Sequence, residues 1–316
     1  ITLMSHNKHI IDKINKDVEI LRLEGVTNRY EAKKYYLELA QGWEDPNPDP
    51  VVEEYDGVRV VRDDLITGTK VRGGDCLISS LNQSTLVYVQ PRTGLAGVSL
   101  LDVARRYGKR VRLFMPSSKR ISHHQACCIE RGAEYDFHRI AAMPNLNKIA
   151  KDWADKQEDA YFIPLGLKHE RVTAGIVKAA SKIKEPEEVW TVISTGVLHR
   201  ALQIAWPNAK FYAVAVARNM KAGEIGHDNI ISAPEAFTQP TKELPPFPSI
   251  DTYDAKAWRY IPKRSGRDIL FWNVGTEPVL NDETIYDRID SYRDWSKNEK
   301  SITNGSRTDI EQNSFA

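Results

Sequence analysis

From Ser84 onward the chain alternates short apolar runs with amphipathic ones, and this alternation constrains the fold more than any other feature. STLVYVQ (84–90), KRVRLFMP (109–116), DAYFIPLG (159–166), EVWTVISTG (188–196), KFYAVAVA (210–217) and RDILFWNVG (267–275) read as strands. Between them GLAGVSLLDVARRYG (94–108), SHHQACCIERGAEYDF (122–137, its end a further strand), NLNKIAKDWADKQ (145–157), HERVTAGIVKAASKIKEP (169–186) and HRALQIAWP (199–207) read as helices. Repeated strand–helix–strand units predict an α/β chain with open, mostly parallel sheets and helices on both faces.

Before this run, residues 8 to about 42 carry a helical pattern broken at Gly25, and WEDPNPDP (43–50) is a proline-rich connector. YDGVRVVRDDL (55–65) alternates into a short strand, and residues 231–251 form a second proline-rich stretch. The last residues, 297–316, are polar without an apolar face and predict a disordered tail.

The 316 residues carry 44 basic and 43 acidic side chains, net +1, which gives no electrostatic case for nucleic acid or an anionic membrane. A local basic patch would still allow nucleic acid. The three cysteines form neither a disulfide framework nor a zinc spacing, so no metal is expected and a reducing, cytoplasmic setting is. No apolar run approaches bilayer length, and ITLMSHNKHI lacks a signal-peptide core.

Lys70 follows the strand and the Gly68 turn, where a lysine can be held rigidly in a pocket. If burial lowers its pKa, the neutral amine can attack an aldehyde. Ligands of open α/β sheets bind beyond the carboxyl ends of the strands, here QPRTGLAG, IPLG, STG and WNVGTEP. Ser194, Thr195 and Gly196 precede a helix whose N–H groups could hold a phosphate, or they could be an ordinary cap. Gly97 could serve only close helix–sheet packing. Tyr253 and Asp254 could act as a proton-transfer pair if the phenol pKa falls, or lie in a surface loop. His199 is expected to be solvated, His123–His124 to be a poor metal pair, and Cys127–Cys128 to be core.

In order, these segments resemble the fold-type II pyridoxal-phosphate enzymes, nearest the D-cysteine desulfhydrase and 1-aminocyclopropane-1-carboxylate deaminase branch. Arg62-Asp63-Asp64 and Gly68-Thr69-Lys70-Val71-Arg72 are similar to its acidic strand and G-N-K-x-R-K turn. IERGAEYDF, YFIPLG, VWTVISTG, TYDAK and ILFWNVGTEPVLN resemble its later motifs, so the likeness covers about 58–282. It implies a tryptophan synthase β-like fold of two open, twisted sheets with a cofactor cleft between them. It also implies a large domain of 51–80 and 163–296, a small one of 81–162, and a helical arm and linker of 1–50. Pyridoxal 5'-phosphate would form an aldimine with Lys70. Ser194, Thr195, Gly196, Val197 and Leu198 would take its phosphate, Asp254 its ring nitrogen, with Gly275 and Thr276 beside it. Tyr253 would be catalytic, and Thr93, Gly94, Leu95 and Gly166 would line the substrate. A homodimer is implied.

The sequence departs from the branch where Thr93, Gly94, Leu95 and Ala96 replace its Ser–Asn loop, where Val197 and Leu198 shorten its glycine-rich loop, and where Asp254 replaces glutamate. Three readings follow: a lyase or deaminase acting on a small amino acid or amino-acid-like group; a non-catalytic descendant that binds a ligand or partner; and an enzyme modifying amino-acid-bearing nucleotides in DNA.

Overall fold

The computed structural model describes residues 29–139, 143–217 and 229–291. The helix expected before residue 29 and the tail expected at 297–316 lie outside the described residues. The chain divides into two compact units: one comprises the residues up to Leu81 together with Gly166–Glu277, the other Asn82–Leu165 and the residues from Pro278.

In the first unit, α1 (Arg29–Leu39) leads through the proline-rich connector to β1 (Val52–Tyr55) and β2 (Val58–Arg62). These two strands form an antiparallel hairpin pairing Tyr55 with Val58. Asp56 and Gly57 at its tip have φ of 50° and 77°, the paired positive values that Asp-Gly turns allow. The sequence pattern merges this hairpin into a single strand, although its Asp-Gly signal is present.

After β2 comes a short 3-10 turn and then α2 (Lys70–Ile78), so Lys70 is the first residue of a helix and not part of a loop. The remaining elements are α6 (Glu170–Ala180), β7 (Glu188–Ile193), α7 (Val197–Ala205), β8 (Lys210–Ala215), β9 (Asn229–Ser232), a 3-10 segment (Asp254–Tyr260) and β10 (Ile269–Asn273). The sheet runs β1-β2-β10-β7-β8-β9, parallel except at the first hairpin. Alternate residues of β2, β7, β8 and β10, among them Val58, Val60, Trp190, Val192, Val214 and Phe271, pack on Phe247, Trp258 and Ile261. Across the molecule's other helices, α2 meets α6 backbone to backbone. A Cβ on Gly73 would lie 2.5 Å from the Val172 carbonyl oxygen, and one on Gly175 would lie 2.8 Å from that of Arg72.

The second unit has β3 (Thr85–Val89), α3 (Ala96–Arg106), β4 (Arg110–Pro116), α4 (His123–Glu130), β5 (Glu134–His138), α5 (Met143–Asp155), β6 (Ala160–Phe162) and α8 (Ile285–Arg288). Its sheet, β5-β4-β3-β6, is wholly parallel. Val87, Val89 and Phe114 pack on Leu146, Ala150 and Ala154 of α5. Cys127 and Cys128 are fully buried core residues. No described helix is long and apolar enough to cross a membrane, and among the described residues no group of His, Cys, Asp and Glu could hold a metal.

Candidate active site

Within the first unit, β2, β10 and β7 lie side by side and parallel, so their carboxyl ends share one edge of the sheet. Asp63 to Lys70 follow β2, Val274 to Thr276 follow β10, and Ser194 to Gly196 follow β7.

A continuous chain of contacts joins these segments. The Thr69 N–H donates to the Val274 carbonyl at 2.9 Å, which ties the residue before Lys70 to the end of β10. The Val274 N–H donates in turn to Asp254 Oδ2 at 3.0 Å. Next to Asp254, the Tyr253 hydroxyl lies 3.3 Å from Ser194 Oγ and donates to the Val192 carbonyl at 3.4 Å. Thr195 then packs on Gly166, where a Cβ would come within 2.7 Å of the threonine side chain. Gly166 has φ of 72°, so both its conformation and this contact favour glycine.

Lys70 is half-buried, and no hydrogen bond or ion pair to its amine occurs among the described residues. Burial alone draws its pKa from 10.5 down to about 8. Roughly a quarter of such an amine is neutral at pH 7.5, against about a thousandth of an ordinary lysine.

Asp254 is fully buried. Burial pushes its pKa well above the usual carboxylate range, although N–H groups of Val274 and Gly275 pull the other way. Its Oδ1 has no hydrogen-bond partner among the described residues. An orphaned carboxyl oxygen is costly unless a ligand satisfies it. Tyr253 is half-buried, and burial pushes its phenol up, with the Ser194 hydrogen bond opposing. The condition for this tyrosine to act as a base, a lowered pKa, is not met: it keeps its proton and can only offer a hydroxyl. The pair also lies in the protein interior and not in a surface loop.

Ser194 and Thr195 lead into Gly196, whose φ of 72° turns the chain into α7. No side chain caps this helix, so the N–H groups of its first turn at Val197 and Leu198 are free of a side-chain acceptor. His199 is fully buried, not solvated, because its position on α7 faces β7. Its Nδ1 lies 2.6 Å from Thr191 Oγ1.

Thr93, Gly94 and Leu95 belong to the second unit. Their loop is knotted by Gln90, whose Nε2 donates to the carbonyls of Pro91 (2.9 Å) and Gly94 (3.0 Å), and whose Oε1 accepts from Gly97 N at 3.0 Å. Gly97 makes room for that side chain, since a Cβ there would sit 2.1 Å from Gln90 Oε1.

Sequence reasoning missed the polar layer under Lys70. Asp63, fully buried, accepts from Thr69 Oγ1 (2.8 Å), Arg72 Nη2 (2.8 Å) and Trp272 Nε1 (3.0 Å). Asn273, also fully buried, donates to Asp64 Oδ1 and the Pro248 carbonyl, both at 2.9 Å. The one signal was the Asp63-Asp64 pair at a strand end.

No protein-family model matches this sequence, and no curated protein matches it. Solved structures do. A homologue of ACC deaminase superposes with a TM-score of 0.63 at 16% identity, covering 76% of this chain and 94% of that one. Threonine deaminase isoform 2 from Solanum lycopersicum gives 0.57 at 13% identity, covering 82% and 92%. Diaminopropionate ammonia lyase from Escherichia coli gives 0.56 at 11% identity, covering 78% and 87%. These are fold-type II pyridoxal-phosphate enzymes, and this chain shares their fold.

Proposed function

We propose that the chain is a pyridoxal-phosphate-dependent enzyme of the lyase or deaminase type, acting on a small amino acid or amino-acid-like group. One observation carries this reading: a lysine amine without a partner among the described residues, drawn by burial to about 8, at a sheet edge shared with a carboxyl oxygen likewise unpartnered among them and a helix start without a side-chain cap.

The residues present fit the cofactor. Lys70 would attach it. Ser194, Thr195, Gly196, Val197 and Leu198 would receive its phosphate, since an uncapped helix N-terminus suits an anion. Asp254 Oδ1 would meet its ring nitrogen, with Gly275 and Thr276 beside it. When bound, the cofactor supplies an electron sink for negative charge next to the substrate's amino group.

The chain's own groups would do the rest. The Lys70 amine, neutral in a useful fraction at physiological pH, would take up and return a proton. Tyr253 would offer its hydroxyl proton, held in place by Ser194. Gly166, packed against Thr195, would line the substrate. The reading includes a homodimer, which sedimentation of the purified protein checks, and a cytoplasmic location.

The test is an absorbance spectrum of the purified protein with and without added pyridoxal phosphate, repeated on Lys70→Ala. The expected result is a near-violet band, fixed to Lys70 by borohydride and missing from the variant. A native protein that shows no band in excess cofactor would mean that the fold serves binding without this chemistry.

A further inference from the structure

The connector at 43–50 and the acidic pair after β2 have no part in the chemistry above, yet they meet at the helix that begins with Lys70. Arg72, two residues beyond Lys70, is 2% exposed. Its guanidinium donates to Asp63 through Nη2 at 2.8 Å and to the Pro48 carbonyl through Nη1 at 2.7 Å, with Asp45 Oδ2 at 3.7 Å. Thr69, one residue before Lys70, donates its hydroxyl to the same Asp63 at 2.8 Å. The indole N–H of Trp272 reaches both Asp63 (3.0 Å) and Thr69 Oγ1 (2.8 Å). Asp63 therefore grips α2 on both sides of Lys70.

The connector closes the other side. Asn47 Nδ2 donates to Asp45 Oδ1 at 2.7 Å and to Asp75 Oδ2, on the next turn of α2, at 2.6 Å. Gly73 lies so close to Val172 of α6 that even a Cβ there would clash, so α2 packs tightly on that helix. A lysine at the first position of a helix would ordinarily fray into solvent, because that turn lacks half of its intrahelical bonds. Here Thr69 and Arg72 are held by hydrogen bonds and Gly73 by its close approach to Val172.

We propose that Asp63, Arg72 and the connector residues Asp45, Asn47 and Pro48 are positioning residues for Lys70, a buried clamp that keeps its amine sheltered from water. The proposal rests on the reading of Lys70 given above. The charged and titratable groups on the surrounding elements include Asp45, Asp49, Arg62, Asp63, Asp64, Arg72, Asp75, Cys76, Tyr253 and Asp254, with His169, Glu170, Arg171 and Lys178 at α6. None of them accounts for the depression of Lys70, which comes from burial. Loosening the clamp should therefore act through exposure of the amine and not through lost charge.

The test needs no cofactor. The pH dependence of acetylation of Lys70 by trace acetic anhydride is followed by peptide mass spectrometry in the full chain, its Asn47→Ala variant and its Asp63→Asn variant. The native midpoint is expected near 8. In the variants it should rise by about one pH unit or more toward the ordinary lysine value, while far-UV circular dichroism and the labelling of Lys256 stay native. Asn47→Ala removes one bridging side chain and carries the test if Asp63→Asn does not fold. Folded variants with a native midpoint would overturn the clamp and leave the reading of the site intact. A native midpoint at the ordinary lysine value would overturn both.

Discussion

Lys70 and Lys256 lie in the same unit, and both amines are depressed by burial, but their surroundings differ. Lys256 is fully buried, and its Nζ donates to the carbonyls of Ala236 at 3.0 Å and Phe237 at 3.3 Å. Those acceptors tie it to the second proline-rich stretch. Lys70 has no acceptor among the described residues, so nothing stabilises its charged form. The carboxylates repeat the contrast. Asp63 is fully buried and saturated with donors, whereas Asp254 is fully buried with one oxygen unused. Burial alone therefore does not mark a functional group. Burial without a partner does, because the fold carries a cost that only a ligand can offset.

The largest expected effect separates the two lysines. Lys70→Ala should abolish the borohydride-fixed adduct and lower any turnover on the order of a thousandfold or more. Lys256→Met should keep the adduct. An adduct found on Lys256 in the native protein would break the comparison, and peptide mapping decides it.

Next comes the paired carboxylate. Asp63→Ala leaves the Arg72 guanidinium buried without its partner, which costs about 3–5 kcal/mol. Urea unfolding should show a loss of unfolding free energy of that size, and native Trp272 emission should change because its indole loses an acceptor. A shift below about 1 kcal/mol would show that Arg72 is satisfied by Asp45 and Pro48 alone.

The contrast between partnered and partnerless groups also explains what could be read in advance. Alternating apolar runs located β3, β4, β7, β8 and β10 and the helices between them, because core periodicity is written in residue type. The start of α7 after Ser194-Thr195-Gly196 followed from the same alternation. The helix at Lys70 was missed because Gly73 and Gly74 lower its helix propensity, although the close contact with α6 requires small residues there. β9 was missed because it is a four-residue edge strand with little burial. Periodicity cannot say which polar side chain meets which. The knot at Gln90, the ring of donors around Asp63 and the burial of His199 and Tyr253-Asp254 all depend on contacts between residues distant in sequence. Lys70 was legible from its place after a strand and a glycine turn and Asp254 from the Tyr-Asp pair, with the family resemblance giving them roles; only coordinates reveal which of their atoms lack partners.

A smaller effect tests Lys70 through stability. Its folded pKa, about 8, lies below its unfolded value of 10.5, so between these pH values the unfolded chain binds more protons than the folded one. Stability from this group should therefore rise with pH across that window, by an amount on the order of 1–3 kcal/mol after allowing for partial exposure. Lys70→Met should be more stable than the native chain below pH 8 and should lose that advantage as pH approaches 10.5. Thermal unfolding of both proteins at matched pH measures the difference. Parallel curves would mean that the native amine has a partner after all.

The smallest effect is expected at Asp254, and its sign carries the information. The folded pKa is raised above the unfolded one, so as pH climbs past about 4 the unfolded chain loses a proton that the folded chain keeps, and stability falls. Asp254→Asn keeps an acceptor for the Val274 and Gly275 N–H groups and removes the titration. It also places an amide donor where the orphaned oxygen stood, which returns part of the gain. The net change at pH 7 should be stabilising by about 1 kcal/mol or less and should vanish near pH 4. A destabilised variant at pH 7 would show that Asp254 is an ionised carboxylate with a cationic partner. It would then belong with Asp63 among the saturated groups, and the orphaned oxygen would no longer point to a ring nitrogen.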